Sequence, residues 1–189
     1  MTEPGSPTGA RDPAGKETEG GWTRRRFLKA GIASGLLLGI GVVVALNRHG
    51  YELPDAIRKQ LKVLGAKEYL VIEAISARIC RPDAPDAPNP ANMEIGLAID
   101  RYLAGMPEWL VSEVGILLNA LEHSPILFTG NVSRFTRLGP DDQDACIRAW
   151  AASRADSIRR GYAAVKAMAM FGYYRHPQAW PLLGYLGPV

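Results

Sequence analysis

Past residue 50 the apolar positions repeat at helical spacing. Tyr69, Ile72, Ile75 and Ile79 share one face of a segment running from Lys67 to Cys80. Ile95, Ala98, Ile99, Tyr102 and Leu103 give the clearest period, over Glu94 to Ala104. Leu110, Val114, Leu117, Leu118 and Leu121 do the same over Glu108 to Glu122, and Ile158, Tyr162, Val165 and Ala169 over Asp156 to Phe171. Steps of three and four residues return to one side of an α-helix, so each segment is predicted to be a helix with one stripe against a neighbour. Pro54 opens a shorter predicted helix, Asp55 to Val63, which Gly65 breaks. Pro140 opens another, with Asp141, Asp142 and Asp144 near the positive end of its dipole and Cys146, Ala149, Trp150 and Ser153 facing inward. Pro82, Pro85, Pro88 and Pro90 predict a loop over 81–92. Residues 123–139 are irregular, with room for one short strand that has no obvious mate. After Gly172 the chain becomes aromatic and proline-punctuated. No repeat and no Gly/Ser linker divides residues 50–189, so they are expected to form one small, irregular, mainly α domain.

The first quarter of the chain has no such period. Residues 1–22 are rich in Gly, Pro, Glu and Thr and are expected to be disordered, because they have too little apolar surface to offset the entropy of ordering. A second segment, 23–48, follows. Thr23-Arg24-Arg25-Arg26-Phe27-Leu28-Lys29 fits the twin-arginine export pattern Ser/Thr-Arg-Arg-x-Phe-Leu-Lys at every position, with Thr23, Arg24, Arg25, Phe27, Leu28 and Lys29 carrying it. An uncharged apolar run, Ala30 to Leu46, begins at once. As a helix its seventeen residues would span about 26 Å, a little short of a bilayer core. With Phe27 to Lys29 added, residues 27–46 become long enough to touch the membrane as an anchor, Lys29 snorkelling to the interface. The run ends Val43-Val44-Ala45-Leu46-Asn47-Arg48-His49, a poor cleavage site, and cleavage and retention both remain open. If the run is retained, Arg24 to Arg26 stay cytoplasmic and the body faces the exported side. Gly31, Gly35 and Gly39 read either as ordinary signal glycines or as a small-residue stripe for another membrane helix. The expected location is the periplasm or the outer face of the cytoplasmic membrane.

Charge sharpens this division. The 189 residues carry 22 Lys and Arg against 19 Asp and Glu, a net charge of +3. Seven basic and four acidic residues precede residue 50, leaving 15 of each sign after it, so the whole excess belongs to the leader. A neutral body does not suggest a nucleic-acid binder.

Candidate chemistry is sparse. No Gly-rich phosphate-binding motif occurs in the body, and Ser133 and Ser153 lack a nucleophile-elbow setting. His49, His123 and His176 lie far apart without metal-ligand spacing. His123 ends a helix, where its positive charge would favour the dipole. His176 is a candidate general base, with Tyr173 or Tyr174 as its partner in an autonomous enzyme. Cys80 and Cys146 could form a disulfide in an exported protein, closing a 67-residue loop worth about 4 kcal/mol, or could be two buried free thiols. Tyr173, Tyr174, Arg175, His176, Trp180 and Tyr185 concentrate interface-type residues near the end of the chain. They either anchor a partner or pack on their own helices.

Several stretches resemble one family. Glu73 to Pro82, the proline-rich loop and Ile99-Asp100-Arg101-Tyr102-Leu103-Ala104-Gly105-Met106-Pro107 are similar to the gluconate 2-dehydrogenase subunit 3 family, whose helices carry an I-D-R-x-L-A-G motif. Arg134 to Leu138 and on to Trp150, Arg159-Arg160-Gly161-Tyr162 and the Gly184-Tyr185-Leu186-Gly187-Pro188 ending extend the similarity to about residues 65–189. The same region resembles the helical part before the flavin domain of long-chain alcohol oxidases. The resemblance implies a non-catalytic small subunit without a cofactor of its own. Its partner would be a large FAD-bearing flavoprotein of the glucose-methanol-choline class, with a multihaem cytochrome c taking the electrons onward in some complexes. The small subunit would engage the twin-arginine translocase and escort the folded flavoprotein. It supplies no catalytic residues to carry over. The alternatives are a membrane-tethered binding module for another exported protein and the enzyme built on His176.

Overall fold

A computed structural model describes residues 50–81, 87–185 and 187. The disorder expected over 1–22, the motif Thr23 to Lys29 and the apolar run through Leu46 lie outside the described residues.

The described chain is mainly helical. Its α-helices are α1 (Asp55–Arg58), α2 (Ala66–Ile79), α3 (Ile95–Leu103), α4 (Glu108–His123), α5 (Pro125–Phe128), α6 (Pro140–Ala151) and α7 (Asp156–Arg175). Tighter 3₁₀ turns cover Pro90–Asn92, Phe135–Arg137 and Pro177–Leu183. Among the described residues there is no strand; the stretch that left room for one forms α5 and a 3₁₀ turn instead. Pro125 fits that choice, because it occupies the first helical position, where its missing N–H costs nothing.

Helix α2 is the hub and touches α3, α4, α6 and α7. Its buried positions, Tyr69, Val71, Ile72, Ile75 and Ser76, face more than one side, as a helix surrounded by neighbours requires. The core around it takes Ile95, Ile99 and Leu103 from α3, Leu118 and Leu121 from α4, Cys146 and Trp150 from α6, and Val165 and Tyr173 from α7.

Two boundaries differ from expectation. Helix α1 stops at Arg58 rather than Val63. Beyond it the buried Asp100 carboxylate accepts the backbone N–H groups of Lys62, Val63 and Leu64 at 2.8, 3.0 and 2.9 Å, fixing a turn where a helix would have continued. Helix α7 runs through Gly172 to Arg175 and ends where His176 precedes Pro177 in extended backbone. Gly172 is no breaker: a Cβ there would stand 2.5 Å from Ile95 Cγ2 and 3.2 Å from Ile99 Cδ1, so its absence lets α3 and α7 cross closely. Tyr102, placed on the inward stripe of α3 by its period, is 43% exposed and sets its ring against Phe171 at 4.8 Å.

Candidate interaction surface

The aromatic tail is folded back on α7. Tyr173 is buried, and its hydroxyl donates to the Pro88 carbonyl at 3.0 Å across 85 residues of chain. Its ring meets Tyr174 edge-on at 5.2 Å. The Trp180 indole N–H donates to the Tyr174 carbonyl at 3.1 Å, covering an end-of-helix acceptor, and the Trp180 ring packs against Tyr185 at 5.2 Å. His176 Nδ1 accepts the Gln178 N–H at 3.3 Å and caps the last 3₁₀ turn. Thus Tyr173, His176 and Trp180 serve the fold, while Tyr174, Arg175 and Tyr185 remain exposed. Of the groups weighed for an enzyme, His176 and the Tyr173 hydroxyl each hold a bond within the fold, and Tyr174 is bonded through its backbone carbonyl.

Exposed apolar surface gathers on α7 and the two helices beside it. Tyr102 and Leu103 of α3, Leu110, Val114 and Leu117 of α4, and Ala164, Ala167, Met168 and Phe171 of α7 line a groove of about 330 Å³, with Ile99 at its floor. Phe171 is shared with a shallow depression formed with Met170, Tyr174 and Arg175. Met170 and Tyr174 are shared in turn with a third, lined also by Ile79, Cys80, Arg81 and Leu182. The three adjoin through these shared residues; the first two are mainly apolar, and the third mixes apolar and polar groups. Tyr174, marked in the sequence as an interface-type residue, lines two of them; Tyr102, Met170 and Phe171 were not foreseen. The available signal was that Met170 and Phe171 are large apolar residues lying off the inward stripe of α7.

The polar side is different. A hollow of about 520 Å³ is lined by Tyr51, Tyr69, Glu73, Glu94, Arg134 and Arg137 among others. Beneath it Glu122 is fully buried and accepts the Tyr51 hydroxyl at 2.9 Å, the Thr136 N–H at 3.0 Å and the Thr136 hydroxyl at 2.6 Å. Arg134 stands 3.7 Å from the same carboxylate, stacks 4.0 Å over the Tyr51 ring and donates to the Gly50 carbonyl at 2.9 Å. Burial pushes the Glu122 carboxyl up, while the bonds from Thr136 and Tyr51 and the charge of Arg134 pull it back. Burial likewise raises Glu73, against bonds from the Gly96 N–H and Tyr69. Burial and the neighbouring Glu122 raise Tyr51, and burial and Glu73 raise Tyr69, so both phenols stay protonated. These groups satisfy one another and pin the first described residues to the fold. Among the described residues no three His, Cys, Asp or Glu stand close enough to hold a metal ion.

His123 does not supply the positive charge expected at the end of α4. Burial, with Lys67 and Arg134 nearby, lowers its pKa and favours the neutral ring. Cys80 and Cys146 are free thiols. Burial pushes the Cys80 thiol up to about 11, and Cys146 is buried with its sulfur 3.3 Å from Ser124 Oγ. No helix of the described residues is long and apolar enough to cross a membrane.

No curated protein and no solved structure matches the chain. Residues 66–187, which span α2 through the folded-back tail, match the family described as gluconate 2-dehydrogenase subunit 3, and the chain belongs to that family.

Proposed function

We propose that this protein is the small subunit of an exported, FAD-dependent dehydrogenase of the glucose-methanol-choline class. It would carry the twin-arginine signal for the pair and escort the folded flavoprotein outward. The family match over residues 66–187 carries this reading, since the family is that of an accessory, non-catalytic subunit of a dehydrogenase complex whose catalytic subunit is a flavoprotein. The apolar surface on α3, α4 and α7 supports it, being suited to a protein partner rather than to catalysis. In the proposed complex the partner holds FAD and the substrate, and a multihaem cytochrome c passes electrons onward. Arg24 and Arg25 engage the translocase, with the body on the periplasmic side and residues 27–46 in contact with the membrane.

Affinity purification of the full chain from its native cell tests this directly. A yellow preparation containing a large FAD-bearing subunit is the expected result; a colourless one with no flavoprotein would refute it. Combining Arg24→Lys with Arg25→Lys should retain both proteins in the cytoplasm, and continued export of the flavoprotein alone would remove the escort role.

A further inference from the structure

The outward line of α7 is Arg160, Ala164, Ala167 and Phe171, spaced three and four residues apart and all exposed. The two alanines bare the helix cylinder beside a groove whose far wall is α4. A helix surface without large side chains lets another helix approach to about 8 Å between axes. An extended segment could not use this surface well, because the backbone donors and acceptors within α7 are bonded inside the helix. The occupant must therefore satisfy its own backbone, as a helix does.

Charge narrows the choice further. At the start of α7, Asp156 is shared between Arg159 and Arg160 at 2.9 and 2.6 Å, two cations to one anion. At the other end the Arg175 guanidinium lies 5.6 Å over the Phe171 ring, and among the described residues no carboxylate pairs with it. Both ends of the apolar line are thus net positive. A second copy of this chain laid across it would oppose arginine to arginine in either direction, which disfavours self-pairing.

We propose that the outer face of α7 and its groove seat one helix of the catalytic flavoprotein, apolar on the seated side and carrying a carboxylate near each end, about 22 Å apart. This rests on the proposed function and adds to it the site and chemistry of the contact. The helix lies in the groove as an amphipathic helix lies in a receptor cleft, its apolar residues against Ala167 and Phe171.

The test uses the full chain co-expressed with its flavoprotein and captured through a tag on the flavoprotein. The double change Ala164→Glu and Ala167→Glu should weaken capture by at least about 100-fold, because it places unpaired carboxylates in an apolar contact. Arg175→Glu should weaken it by about 10-fold. Val132→Glu, on an exposed loop, should leave capture unchanged. Melting temperatures of the subunit itself should not move with the alanine changes, since both sites are exposed. A photo-cross-linker at position 167 should label a helix of the flavoprotein with acids at both ends. Labelling of a second copy of this chain, or of a segment without such acids, would overturn the proposal. Full capture by the double glutamate variant would overturn it while leaving the proposed function standing; failure of the unmodified chain to capture any flavoprotein would remove both.

Discussion

Replacing Asp100 should cost stability in a graded way that the geometry sets. Its carboxylate is fully buried, and its two oxygens divide the work: Oδ2 accepts the Lys62 N–H alone, and Oδ1 accepts those of Val63 and Leu64. Asp100→Asn can keep an oxygen at the Oδ1 position and with it two bonds, now without charge assistance, while its NH₂ turns toward the Lys62 N–H. Bonds to charged groups contribute about 1.5–3 kcal/mol each, so losing one, at a donor that water can reach, and weakening two should cost about 2–4 kcal/mol in all. Asp100→Ala loses all three. Water can reach the exposed Lys62 and Val63, but Leu64 is buried and its donor is left unpaired. The alanine cost should be about 3–5 kcal/mol, allowing a few tenths back for helix propensity. Denaturant unfolding of the three proteins measures the order, and amide hydrogen exchange at Leu64 reports the local cause. Leu64 should exchange slowly in the parent and the asparagine variant and quickly in the alanine variant. Equal costs for asparagine and alanine, or a slow Leu64 amide in the alanine variant, would show that the three bonds are not what holds the turn.

Glu73→Gln should change how stability depends on pH. Burial raises the native carboxyl, so the native state holds its proton longer than the unfolded chain, whose value is about 4.3, and the parent loses stability as pH rises from there through the native value. Glutamine does not titrate, so its advantage in melting temperature should open from pH 4 to 8; parallel curves would contradict the assignment. Glu94, with φ at 46°, is the one described residue other than glycine in left-handed backbone, so Glu94→Gly should gain about 0.5–1 kcal/mol and Glu94→Ala should not. Cys80 and Cys146 should both react with an alkylating agent in denaturant without any reductant, shifting the mass by two adducts; no adduct would mean that they pair.

The sequence period located α2, α3, α4 and α7 because burial of a helix face is a local, repeating signal. It placed Val165 and Ala169 inward, and they are buried. It failed where distant residues decide. Asp100 is a motif letter in the sequence, and its role depends on donors 36 to 38 positions away. Gly172 obeys the local rule for a breaker yet lies inside a helix, because the deciding neighbour is Ile95. Of the interface-type residues marked in the tail, Tyr174 and Arg175 line the exposed depressions beside α7, whereas Tyr185 packs on Trp180 instead. Tyr102 and Phe171 were not legible as surface, since an aromatic near an apolar stripe reads as core until the neighbouring helices are known to leave it uncovered.

Helix α3 is keyed on both sides by missing methyl groups. On its own surface Gly96 receives the Tyr69 ring of α2, where a Cβ would stand 2.6 Å from Cδ2, and on α7 Gly172 receives the Cγ2 branch of Ile95. A key with two notches cannot slide by one residue without striking both neighbours. Gly172→Ala alone should therefore cost about 1–3 kcal/mol, as overpacked sites do, whereas moving the branch away with Ile95→Leu should return part of it. Positions 95 and 172 hold one allotment of volume between them. Because Tyr102 and Phe171 meet at the same crossing, that shared allotment also sets how wide the groove between α3 and α7 stands.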